Sequence, residues 1–205
     1  MRDNVRITVF ASVLGLVCSL LLVGANSFTA PYRQANEKAE EVRNFLSALD
    51  VPVDSEADSK TLLEVFNQNV RVRKLGKLTL YEYVPADSAS ERPVSVAVPF
   101  SGSGLWAPIE AVLALEPDLR TIRGIRFYKQ EETPGLGGEI SSDWFQEQFK
   151  GKEMVSSAGE PGFRILKPGS SHDKNSVDGI TGATMTSDRV QTMLDGLAKA
   201  LGEER

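Results

Sequence analysis

Hydrophobic positions change their spacing along this chain, and each spacing predicts a different element. Residues 7–30 carry no Asp, Glu, Lys, Arg or His, and the stretch VFASVLGLVCSLLLVGA within them is almost wholly apolar. A helix of about 20 such residues can cross a bilayer core, so this run is expected to be a membrane anchor. A cleaved leader is the alternative, since Arg2 and Arg6 also suit its charged start. The run is longer than the roughly 7–15 apolar residues of a usual leader, which favours a retained anchor. Next, Ala35, Ala39, Val42, Leu46 and Leu49 recur at helical spacing with charges between them, and Pro52 ends the pattern. SKTLLEVFNQNV reads as a second, shorter helix with Leu62, Leu63 and Phe66 on one side and Ser59 as its cap.

From Leu78 the period falls to two. LTLYEYV, then VSVAVPF with Val94, Val96, Val98 and Phe100 on one face, then AVLALEP, then TIRGIRFYK across a turn at Pro117 and Asp118, read as successive strands. Ile125 and Phe127 share one face of the last, opposite Arg126 and Tyr128. SSDWFQEQFKGK predicts a short helix capped by Ser142 and ended by Gly151, with Trp144 in the core; FRILKPG predicts another strand. Val190, Leu194, Leu197 and Leu201 mark a final helix capped by Ser187. The predicted fold class is α+β, a mostly antiparallel sheet with flanking helices behind one N-terminal transmembrane helix. Its segments are residues 1–30 as anchor, 31–70 as helical lead-in and 71–205 as the main domain.

Charge and composition narrow the chemistry. The net charge of −5 lacks the basic excess of a nucleic-acid surface. Arg71, Arg73, Lys74 and Lys77 form the one basic cluster, expected to be a solvated face. With one cysteine, Cys18, and one histidine, His172, the chain cannot build an intrachain disulfide or a self-contained cysteine-ligated iron–sulfur cluster. Cys18 is expected to be a small apolar residue of the anchor and His172 an exposed loop residue. Glu131, Glu132 and Glu139 lack regular cation-ligand spacing. Redox chemistry would therefore need an organic cofactor or a partner chain.

Three segments remain that the periodicity does not explain: SGSGLW at residues 101–106, EETPGLGGE at 131–139, and DGITGATMTS at 178–187. None has the spacing of a nucleotide-binding loop. Glycines there permit tight turns and close backbone approach, and Leu136, between glycines, offers an apolar side chain to a flat ring. A plain hairpin loop and a plain turn before a helix are the simpler readings.

As a set, and in this order behind one membrane segment, these motifs resemble the C subunit of the sodium-translocating NADH:quinone reductases, a family of covalent-FMN-binding domains. The resemblance covers essentially the whole chain and is strongest from Phe100 to Val190. The G subunit of the related ion-translocating ferredoxin:NAD oxidoreductases is the nearest rival; GLW followed by ALEPD, and the full ETPGLGGE, favour the first family. A stand-alone membrane-anchored flavin reductase, which would need a substrate cavity and turnover in isolation, is the other alternative. The resemblance implies FMN joined by a phosphoester to Thr184, the last residue of Thr181-Gly182-Ala183-Thr184, with Asp178 upstream. It implies a flavin site including Gly104, Leu105, Trp106, Glu132, Thr133, Pro134, Gly135, Leu136 and Gly137; Lys167, on the FRILKPG strand, is a candidate for a further positive charge beside the phosphate. It also implies partners: an iron–sulfur-carrying pair of membrane subunits, a second covalent-FMN subunit, and a flavin transferase for maturation. The expected place is the bacterial inner membrane, with Arg2 and Arg6 keeping the N-terminus cytoplasmic and the main domain outside the cytoplasm.

Overall fold

The computed structural model describes residues 2–54, 56–86, 92–155, 162–170 and 173–204. His172 and residues 87–91 of the PADSASERP connection lie outside them. The chain divides into two units, residues 1–39 and 40–205.

The first unit belongs to one continuous helix, α1 (Arg2–Ala48), with Pro31 inside it. The expected anchor and the helix expected after it are thus a single element. The large apolar side chains of its N-terminal part, Phe10, Leu14, Leu21 and Phe28 among them, are exposed. This one helix is long and apolar enough to cross a membrane.

The second unit is built on a five-stranded antiparallel meander of β1 (Val70–Leu75), β2 (Leu78–Tyr83), β3 (Ser95–Ser103), β4 (Pro108–Leu115) and β5 (Ile122–Lys129), in chain order. Alternation along β4 explains why AVLAL reads as an unbroken apolar run. Ile109, Ala111, Leu113 and Leu115 enter the core on one face, while Val112 and Ala114 enter the core on the other. A strand covered on both faces has no polar side to show. The first face is covered by α4 (Thr184–Glu203), a 3-10 turn (Gly137–Ser141) and α3 (Asp143–Glu147). The second face receives Val42, Phe45 and Leu46 from the end of α1 and Leu49 just after it, together with Leu62 of α2 (Ser59–Asn69). The α+β class, the antiparallel sheet and the flanking helices agree with the expectation.

The basic cluster is solvent-exposed, as expected; Arg71, Arg73 and Lys74 lie on the edge strand β1, where Arg73 pairs with Glu82 of β2, and exposed cations on an edge discourage further strand pairing. Several other local expectations are corrected. Asp58, not Ser59, caps α2, because its carboxylate reaches the Thr61 amide at 2.9 Å. Residues 101–103 belong to β3 rather than to a loop, since they pair with Pro108, Ile109 and Glu110 of β4. Ser142 stands at the cap of α3, but its hydroxyl donates to the Glu139 carbonyl. Trp144 is not core: it is half exposed, with its indole N–H 3.3 Å from Glu139. The FRILKPG strand is the short β6 (Arg164–Leu166), which pairs in parallel with the unforeseen β7 (Ser176–Asp178).

Leu113 is fully buried at the centre of the sheet. Leu113→Ala should lower unfolding free energy by about 2–5 kcal/mol in urea titration. Val72→Ala, on exposed β1, should stay within about 0.5 kcal/mol of the parent.

Candidate functional site

The third glycine-bearing segment leaves β7 and enters α4 through a closed turn. The Ala183 amide donates to the Ile180 carbonyl at 3.0 Å, and Gly182 takes a left-handed φ of +78°. The first helical hydrogen bond runs from the Ser187 amide to the Ala183 carbonyl. Ala183 is therefore the N-cap residue and Thr184 the first residue of the helix, which corrects the expectation of a Ser187 cap. Ser187 is instead buried in the first turn, where its hydroxyl accepts from the Ile180 amide at 3.3 Å. The physical reason is that Gly182, at φ +78°, turns the chain early enough for the helix to begin four residues sooner. The amides at 184–186 then have no intrahelical acceptor, as at any helix start.

The threonines of this segment are not equivalent. Thr181 and Thr184 are exposed, whereas Thr186 is buried. The Thr186 hydroxyl donates to Oε2 of Glu132 at 2.7 Å, and the Leu105 amide donates to Oε1 of the same carboxylate at 2.7 Å. One buried side chain, 4% exposed, thereby joins the segment before β4, the segment after β5 and the start of α4. Two glycines make room for it. A Cβ on Gly104 would lie 2.6 Å from Oε1 of Glu132, and one on Gly137 would fall on the Thr186 hydroxyl and 2.8 Å from Oε2.

Around this junction the three segments enclose a cavity of about 240 Å³. Its wall includes Leu105, Glu132, Thr133, Leu136, Gly137, Gly182, Ala183 and Thr184, all foreseen, and also Met185 and Thr186. Leu136 leans over Gly182, where a Cβ would meet its Cδ2 at 3.2 Å. The Thr133 carbonyl accepts from the Leu136 and Gly138 amides at 3.1 and 3.0 Å, and Gly135, with φ of +74°, completes the turn. Trp106 is 74% exposed beside this wall, and Pro134 is exposed too. Gly104 does not line the wall, but it lies close enough to Glu132 to leave no room for a Cβ.

Not every foreseen residue reaches the cavity. Asp178 ends β7 and accepts the Gly169 amide at 2.9 Å, so it ties down the turn after β6. Lys167 lies on that exposed turn, its carbonyl accepting from Ser170. Neither they nor Thr181 line the wall. Thr186 was missed, and the signal for it was a buried acid: a carboxylate placed among glycine loops needs donors. Among the described residues, no group of three or more His, Cys, Asp or Glu is placed to hold a metal ion.

The arrangement combines an exposed hydroxyl at a helix start, amides suited to an anion, and apolar side chains from Leu105, Leu136 and Met185 suited to a flat ring. These features fit a phosphorylated aromatic cofactor such as a flavin mononucleotide. The comparisons agree in class: the family described as FMN-binding domain matches residues 104–199, a span that contains all three segments except the first residues of SGSGLW. The C subunit of the Na(+)-translocating NADH-quinone reductase from Yersinia pestis is 44% identical over 97 residues, covering 47% of this chain and 36% of that protein. The same subunit from Pasteurella multocida is 26% identical over 232 residues, covering 92% of this chain and 88% of its own length. In three dimensions, the crystal structure of that subunit from Parabacteroides distasonis superposes with a TM-score of 0.69 at 26% identity, over 83% of this chain and 94% of the other. The chain belongs to the family formed by the C subunits of Na(+)-translocating NADH-quinone reductases.

The junction makes an unequal demand on glycines. Gly137→Ala should destabilise the domain by about 1–3 kcal/mol through overpacking. Gly196→Ala, where a Cβ meets nothing within 4 Å on α4, should stabilise it by up to about 1 kcal/mol. Thermal or urea unfolding of the two variants checks both signs.

Proposed function

We propose that this chain carries FMN as a phosphoester on Thr184 and relays electrons within a membrane-bound, sodium-translocating NADH:quinone reductase. The observation that carries the reading is the position of Thr184: an exposed hydroxyl on the first residue of α4, in the wall of a cavity gathered from three glycine-bearing segments. The relatives support the C-subunit reading over the G-subunit alternative.

When bound, FMN supplies reversible uptake and release of electrons. The residues of this chain hold and orient it. The amides at the start of α4 would favour the anionic phosphodiester formed on Thr184. Leu105, Leu136 and Met185 of the cavity wall would hold the ring, with Trp106, Pro134 and Gly135 on the same segments. Asp178 and Lys167 act from the adjacent turn, Asp178 by holding its geometry, so that Thr181, Gly182 and Ala183 present the acceptor to a flavin transferase. A covalent tether keeps the carrier in place between electron steps, so no closed substrate pocket is required. Electrons arrive from an iron–sulfur centre in a pair of membrane subunits and leave to a second covalent-FMN subunit. NADH oxidation and sodium passage are assigned to other subunits. α1 is the anchor, with Arg2 and Arg6 on the cytoplasmic side of the bacterial inner membrane and the flavin domain outside the cytoplasm.

Exported together with a flavin transferase, the chain should give a fluorescent band on a denaturing gel. Thr184→Val should abolish the band while changing the unfolding midpoint little, because the lost hydroxyl is exposed. Separately, the full-length chain should stay with membranes through carbonate extraction. Recovery of a mature chain starting near residue 31 in the soluble fraction would contradict the anchor.

A further inference from the structure

The Glu132 carboxylate is more than a structural tie. Both its oxygens accept hydrogen bonds, from the Leu105 amide and the Thr186 hydroxyl, an acceptor-only pattern that suits the ionised form. The group is 4% exposed, so water screens it poorly, and it forms part of the cavity wall shared with Thr184. Among the described residues, the wall contains no Lys, Arg or second acid. A fixed negative charge in such a place opposes the arrival of further negative charge, and its reach is greater where the surroundings are weakly polarisable.

We propose that Glu132 is a tuning residue: its buried charge lowers the reduction potential of a flavin held on Thr184, while its two hydrogen bonds hold the cavity's shape. This inference rests on the flavin reading above and adds to it the group that sets the flavin's readiness to accept electrons. The two roles separate by substitution. Glu132→Gln keeps the size and both hydrogen bonds, since an amide oxygen can accept from Leu105 and an amide N–H can donate to the Thr186 hydroxyl, which also accepts. Only the charge is lost. Thr186→Val removes one hydrogen bond and keeps the charge.

The test is a redox titration of the full-length, flavin-loaded chain in detergent, followed by visible absorbance, for the parent, Glu132→Gln and Thr186→Val. Flavin loading is verified first by in-gel fluorescence. Glu132→Gln should shift the equilibrium toward the reduced flavin at least tenfold, a rise of about 30 mV for a two-electron couple. Thr186→Val should lower the unfolding midpoint without raising the potential. A loaded Glu132→Gln protein with the parent's potential would overturn the inference and leave the flavin reading intact. An equal rise in Thr186→Val would also overturn it, by tracing the effect to packing instead of charge. Absence of covalent flavin from the parent chain itself would remove the proposed function, and this inference with it.

Discussion

One carboxylate ties the candidate site together. Glu132 reaches the Leu105 amide with one oxygen and the Thr186 hydroxyl with the other, both at 2.7 Å. Thr186 is 54 residues further along the chain. A buried carboxylate without such donors would be costly, so the tie and the burial require each other. The glycines follow from it. Gly104 and Gly137 are glycine because a Cβ at either would collide with this junction. Breaking the tie would leave the wall of the cavity without a common anchor.

The scaffold beneath the junction is rigid where it needs to be. β4 is buried on both faces, and its neighbours β3 and β5 deliver the first two segments from adjacent strand ends. The third segment arrives from β7 by way of Gly182, and the packing of Val190, Leu194 and Leu197 fixes the direction of α4. The start of α4, with its unpaired amides, is therefore held against the same cavity as Glu132. Anion binding and ring packing are both available there because the core on that face is continuous.

Much of this was legible in the residues. The alternation in VSVAVPF and TIRGIRFYK reports strands with one face in a large core, and the period of Val190, Leu194 and Leu197 reports the last helix. The three glycine-bearing segments were recognisable, and the resemblance they carry placed most of the cavity wall. Other features were illegible for physical reasons. β1 carries Arg71, Arg73 and Lys74 because it is an edge with little to bury, so its composition hides its pairing. The helix start at Thr184 depends on a left-handed Gly182 and an Ala183 cap that uses no side-chain bond, so the more familiar signal of Ser187 misleads. Thr186 escaped notice because its partner is distant in sequence.

Tandem mass spectrometry of the tryptic peptide spanning residues 175–189, from chain purified out of its native membrane, tests the central claim most directly. The account predicts the added mass of an FMN phosphoester on Thr184, the exposed first residue of α4, with Thr181 and Thr186 unmodified. An unmodified Thr184 in cells that contain the flavin transferase, or the flavin on buried Thr186, would contradict it.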